Sequence, residues 1–198
     1  DLVRSRGLGD VYKRQGYDVQ ILRSEKNYLD LFYHVVTRSK KPERNGKYAG
    51  FLLAGMCAAN SQLKIPPIKN FLKTVKKPFI QYIGIATDEQ KRLKKLEGTN
   101  KISLLQRYGY TEKMAYDLCK KYDLLSPIYK FAKRGGCWFC PNCSYKEFAR
   151  LKKCHTELWN KLMLLSNEQN IISSCFKYNK TFLQIDKKVD EINSQLSF

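Results

Sequence analysis

The run Arg134-Gly-Gly-Cys-Trp-Phe-Cys-Pro-Asn-Cys143 constrains this chain more than any other, because it sets three thiols at C-x2-C-x2-C spacing directly after two glycines. Two cysteines separated by two residues can turn both sulfurs toward one point, and glycine lets the backbone wrap closely around whatever sits there. That point is most simply a metal. The plainer alternative is a cluster of reduced thiols packed in the core, since cysteine behaves there as a small hydrophobe.

A chain of 198 residues, 43% of them hydrophobic, is long enough to bury one real core. No apolar run approaches the length of a bilayer span, and the first residues lack the hydrophobic region of a secretory leader. Seven cysteines, an odd number concentrated at metal-like spacing, fit a reducing cytoplasm better than a disulfide scaffold. The expected location is therefore cytoplasmic, with no membrane partner. Lys and Arg number 37 against 18 Asp and Glu, a net charge of +19. Such a balance attracts nucleotides, phosphates or nucleic acid without distinguishing among them, and a lysine-rich solvated surface accounts for it equally well.

Residues 1–15 show neither strand alternation nor a capped amphipathic helix. They resemble a translated adapter sequence, the alternative being a disordered basic leader, and the fold is expected to enter at about Gly16. From there residues 17–22 alternate as a strand, and Ser24 caps a helix with Tyr28, Leu31, Phe32, Val35 and Val36 on its apolar face. A basic loop fills 37–48, and the small, apolar stretch 49–60 predicts a short helix. Pro66 and Pro67 open a further helix, where a missing N–H costs nothing, and 79–86 reads as a buried strand. This alternation predicts an α/β sheet with crossover helices over 16–100, and a mostly helical, Cys-rich part over 101–198. In that second part Thr111 caps a helix bearing Met114, Ala115, Leu118, Cys119 and Tyr122. Ser144 and Glu147 form a capping box, and Thr156 starts a helix with Leu158, Trp159, Leu162 and Met163. Phe182, Ile185, Val189, Ile192 and Leu196 make the final apolar stripe.

Ligands of an open α/β sheet sit beyond the carboxyl ends of its strands, and the second predicted strand reaches Gly84 with Asp88, Glu89, Lys91 and Arg92 just after it. A carboxylate there can hold ribose hydroxyls or magnesium, while Lys91 and Arg92 can meet phosphate oxygens. An ordinary helix N-terminus, with acids favoured by the helix dipole, explains the same residues. His34 reads as a packing or surface residue and the scattered tyrosines as core, while His155 opens a new helix, a zinc ligand beside Cys154 being the alternative.

Four phrases in order resemble the phosphoadenosine-phosphosulfate-reductase-like family, within the PP-loop ATP pyrophosphatases, over roughly residues 16–159. They are Cys57 followed by Lys64-Ile-Pro-Pro-Ile68, the stretch from Gly84 to Arg92, Tyr108-Gly-Tyr-Thr-Glu112 with Leu124-Leu-Ser-Pro-Ile-Tyr129, and Gly135-Gly-Cys-Trp-Phe-Cys-Pro141. The surroundings of Cys137 and Cys140 are also similar to the cysteine loop of sulfur-transfer enzymes that install phosphorothioate in DNA. The resemblance implies a Rossmann-like three-layer α/β sheet and an adenine nucleotide such as ATP, with magnesium, near Lys64, Gly84, Asp88, Glu89 and Arg92. It also implies an iron–sulfur cluster or zinc on Cys137 and Cys140, with Cys57 matching an upstream ligand and Cys119 or Cys143 as the fourth.

Two family features are absent from this sequence. The phosphate-cradling Ser-Gly-Gly-x-Asp-Ser loop does not occur, so the sheet is expected to be incomplete, without its first strand. The reductase's Glu-Cys-Gly context is also missing, and Cys175 lies in a different one, so sulfonucleotide reduction is not implied. The resemblance instead implies a nucleotide-activating or sulfur-handling enzyme, with a nucleic acid or a protein as the sulfur acceptor. The rival expectation is a zinc-stapled basic module that binds nucleic acid without catalysis.

Overall fold

The structure is a computed structural model, and it describes residues 16–52, 57–126, 129 and 136–195. It is mixed α/β, about 49% helical, with short strands in two small two-stranded sheets. The described residues fall into two compact units. The smaller is built mainly from Phe71–Tyr129, the larger from Ile21–Asn70 together with the chain after Lys130.

The larger unit begins with α1, Tyr28–Phe32. Its cap is Asn27 rather than the expected Ser24: the Asn27 side chain accepts from the Leu29 N–H at 2.7 Å, and Asp30 accepts from the Asn27 N–H at 2.6 Å. Residues 17–22 form no strand, and Tyr17 and Ile21 are exposed. The helix also stops short of Val35 and Val36. Val35 pairs antiparallel with Tyr48, and the Val36 N–H donates to Lys47 O at 2.9 Å. Two β-branched residues in succession suit an extended backbone better than a helical one, and here a partner strand segment is at hand. Tyr48 pairs in turn with Ile171, and Gly50 then passes so close that a Cβ would lie 3.2 Å from Ile171 Cβ, at a φ of +75° that favours glycine.

Residues 58 and 59 start a helix that continues through a π segment, Asn60–Lys64, into α2, Ile65–Thr74. Pro66 and Pro67 therefore sit inside a helix instead of opening one. Neither has an N–H to give the carbonyl four residues back, and the wider π turn ahead of them takes up the crowding of their rings.

In the C-terminal part the helical periodicity holds. The smaller unit holds α3, Gln90–Leu93, α4, Leu104–Arg107, and α5, Glu112–Lys121; in the larger unit the Ser144–Glu147 capping box then starts α6, Tyr145–Cys154. It is followed by α7, Thr156–Ser166, and α8, Phe182–Gln195. These three bury Phe148 and Leu151, Trp159 and Leu162, and Phe182, Ile185 and Val189 respectively. Between α7 and α8 lies an antiparallel hairpin of β3, Cys175–Lys177, and β4, Lys180–Thr181, with Asn179 in the left-handed region at its turn. Phe176 of β3 meets Phe51, Phe148 and Phe182 edge-on at 5.0–5.7 Å between ring centroids. Each such aromatic contributes roughly 1.5–3 kcal/mol on burial.

The smaller unit pairs β1, Gln81–Tyr82, in parallel with β2, Lys101–Ile102, with α3 in the connection. Strand 79–86 was expected to be buried throughout; Ile80 and Tyr82 are exposed, and Ile85 and Ala86 alone of that stretch are buried. Ser103 is the buried polar residue here, its hydroxyl donating to Ile85 O at 2.6 Å and accepting from the Gln106 N–H at the start of α4. Thr111 caps α5 as expected, yet Met114, Leu118 and Tyr122 on its apolar face stay exposed.

One polar cluster ties α6, α7 and α8. Trp159 Nε1 donates to Asp186 at 2.8 Å, and Lys152 Nζ donates to Asp186 at 2.7 Å and to Asp190 at 2.5 Å. Asp186→Ala should lower stability by about 2 kcal/mol, since a largely buried indole N–H loses its acceptor; denaturant unfolding measures this. Burial alone would lower the Lys152 pKa, but hydrogen bonds and charge from Asp186 and Asp190 raise it above the ordinary lysine value. A raised folded-state pKa contributes stability that is fully present below the unfolded value of about 10.4 and is lost as pH climbs through the folded one. The gap between wild type and Asp186→Ala should accordingly stay level from neutral to mildly alkaline pH and narrow above that.

Candidate metal centre and nucleotide residues

The cysteine loop of the larger unit is a pair of turns repeated at a three-residue interval. The Cys140 N–H donates to Cys137 O at 3.1 Å, and the Cys143 N–H donates to Cys140 O at 3.2 Å, after which Ser144 begins α6. Its two aromatics anchor it on α1. Phe139 lies flat on Tyr28, centroids 3.8 Å apart and planes 3° from parallel, and Trp138 meets Tyr28 edge-on at 5.5 Å. Arg134 and Gly135 lie outside the described residues.

Cys137 and Cys140 are half-buried and Cys143 is buried. The Cys143 thiol is turned back under the loop, 4.0 Å from Cys137 O and 3.7 Å from where a Cβ on Gly136 would sit. At the far end Lys177 Nζ, reaching in from β3, donates to Pro141 O at 3.0 Å and to Cys143 O at 2.6 Å. Tyr28 carries the one buried side-chain N or O atom without a hydrogen-bond partner among the described residues, its hydroxyl. Burial raises its pKa well above the ordinary phenol value.

The sequence offers five cysteines as ligands. Three share the loop, whereas Cys57 is exposed where its helix begins, its carbonyl accepting from the Asn60 and Ser61 N–H groups. Cys119 is half-buried on α5 of the smaller unit. Among the described residues no group of three or more His, Cys, Asp or Glu is placed to hold a metal ion. His155 lies between α6 and α7 with Nδ1 3.6 Å from Glu157, and His34 is exposed just past α1.

The nucleotide candidates belong to both units. Lys64 is exposed on the π segment, in the larger unit. Gly84, Asp88, Glu89 and Arg92 belong to the smaller unit, and there the two acids serve the chain itself. Asp88 accepts from the Glu112 N–H at 3.1 Å at the start of α5; Glu89 accepts from the Ala86 N–H at 3.2 Å and pairs with Arg92. Gly84 has open space where a side chain would stand. A cleft of about 320 Å³ lies nearby among Gln90, Lys94, Glu97, Lys101 and Gln106, and none of the four lines it. Lys94 falls in the basic run Lys91-Arg-Leu-Lys-Lys95, which is the sole sequence signal for the cleft. Lys177 had none, and Tyr28 was marked only as part of an apolar helix face.

The larger unit is thus a helical body with an aromatic core and a cysteine knuckle, and the smaller is a parallel strand pair with a helix in its connection. Comparison with models of protein families, with curated proteins and with solved structures finds no match for this chain.

Removing an unpartnered buried hydroxyl while keeping its ring should cost nothing. Tyr28→Phe is expected to match or exceed wild type in thermal midpoint, whereas Tyr28→Ala, which also removes the ring stacked on Phe139, should lose about 3–5 kcal/mol. Thermal and denaturant unfolding of the two variants check this.

Proposed function

We propose that this chain belongs to a phosphoadenosine-phosphosulfate-reductase-like enzyme that handles sulfur or activates a nucleotide, with a thiolate-bound metal centre and a site for ATP or another adenine nucleotide. The observation that carries the reading is the cysteine loop, where three thiols occupy two consecutive turns braced by aromatics on one side and by Lys177 on the other. The donors fit a soft metal in kind: thiolates at two-residue spacing suit zinc or an iron–sulfur cluster and suit magnesium or calcium poorly. Cys137 and Cys140 would hold it, with Cys143, Cys57 or Cys119 completing the set. Bound there, zinc would staple the fold and an iron–sulfur cluster would add electron-transfer or sulfur chemistry.

The parallel pairing of β1 with β2 supports a Rossmann-like sheet, because parallel neighbours need a crossover of the kind α3 occupies. On this reading Lys64 and Arg92 face nucleotide phosphates, Asp88 and Glu89 serve magnesium or ribose, and Gly84 admits the ligand to the backbone. A reducing cytoplasmic setting follows from the same thiols.

Protein purified without oxygen is expected to carry metal, and Cys137→Ser or Cys140→Ser should each release it and lower stability, because binding and folding are coupled. Visible absorbance that bleaches with reductant would identify iron and sulfur; colourless protein holding zinc would identify the other centre. A metal-free protein that folds cooperatively would overturn the proposal. Calorimetry tests the nucleotide half: Arg92→Glu should weaken ATP binding at least about tenfold, as expected for a charge-assisted phosphate contact, while Glu at the exposed Lys146 should leave it unchanged. Equal small effects at both positions, with steeply salt-dependent binding to nucleic acid, would favour the basic module instead.

A further inference from the structure

We infer that Lys177 is a positioning residue that clamps the cysteine loop into the shape in which its thiols are presented. Its ammonium group donates to two carbonyls of the loop, Pro141 O at 3.0 Å and Cys143 O at 2.6 Å, and lies over the rings of Tyr145 and Phe148, 5.6 Å from each centroid. Four contacts of this kind fix the cation in place, and a charged donor makes the two carbonyl bonds strong.

The consequence reaches the loop through its peptide planes. In a trans peptide the N–H points away from the C=O, so holding the Pro141 and Cys143 carbonyls toward the lysine turns the Asn142 and Ser144 N–H groups the opposite way. The Ser144 N–H is met there by Glu147 at 2.7 Å. The peptide after Cys143 is therefore pinned at both ends, by Lys177 from the β3–β4 hairpin and by the capping box of α6. The lysine is itself held by its neighbour Phe176, which is 1% exposed at the centre of the aromatic core. A loop shaped before its ligand arrives loses less freedom on binding, so the clamp tightens whatever the thiols hold. In that last respect the inference rests on the metal reading above; the shape of the loop does not.

The test uses the full chain, metal-free and zinc-loaded, as wild type, Lys177→Met, Lys177→Arg and Lys180→Met. Lys180 lies over the Tyr145 ring at 5.6 Å but makes neither carbonyl bond, so it controls for loss of a nearby charge. Alkylation of each cysteine is followed by mass spectrometry, and zinc release by a chelator. Loss of two charge-assisted bonds should make Cys143 of metal-free Lys177→Met react about tenfold faster, with Lys177→Arg within about twofold of wild type. Lys180→Met should be unchanged, and so should Cys175, on the same strand as Lys177. Zinc should leave Lys177→Met about tenfold faster as well. If Lys177→Met fails to fold, Lys177→Gln, which retains a donor without the charge, carries the same comparison with a smaller acceleration. Wild-type reactivity of Cys143 in the folded variant, or equal acceleration at Cys143 and Cys175, would overturn the clamp. Faster Cys143 labelling together with no zinc uptake by wild type, and no iron in protein purified without oxygen, would uphold the clamp and overturn the metal reading.

Discussion

Burial of Phe176 is the interaction on which the larger unit depends. Rings from the segment after Gly50, from α6 and from α8 close on it, so one side chain joins parts of the chain that no local signal connects. With Phe176 fixed, the next residue, Lys177, is brought to the edge of the same core, its ammonium group over the Phe148 ring. There the lysine finds carbonyls of the cysteine loop. The core and the candidate centre are in this sense consequences of the same three-residue strand.

The loop is held from two further directions. Phe139 stacks on Tyr28 of α1, and Ser144 commits the chain to α6 immediately after Cys143. A seven-residue segment bounded by a stacked ring, a capped helix and a cation has little freedom left, which is the condition a metal site or any other preorganised thiol site requires. The unpartnered Tyr28 hydroxyl is the cost of placing a tyrosine where its ring is wanted.

The smaller unit is organised differently. Its buried side chains are few, and polar bonds do what apolar burial does elsewhere: Ser103 joins the end of the 79–86 segment to the start of α4, and Asp88 joins the following turn to α5. The acids that the sequence offers as ligands are thus engaged in connecting elements, and Glu89 with Arg92 forms a local pair on the same turn.

What the sequence determined by itself is whatever depends on a turn or two of chain. The Ser144–Glu147 box, the Thr111 cap and the buried stripes of α7 and α8 were all legible, because a cap bonds three residues away and a helix face repeats every three or four. The cysteine spacing was legible for the same reason. Tertiary structure alone decided the rest. Val35 and Val36 leave the helical pattern because Lys47 and Tyr48 are there to pair with them, residues 17–22 alternate like a strand yet form none, and the two prolines are absorbed by a π turn within a longer helix. Lys177 stands 34 residues from the carbonyl it holds most closely. A strand or a clamp exists only when a distant segment completes its hydrogen bonds, and the spacing of residues along a chain carries no record of which segment that will be.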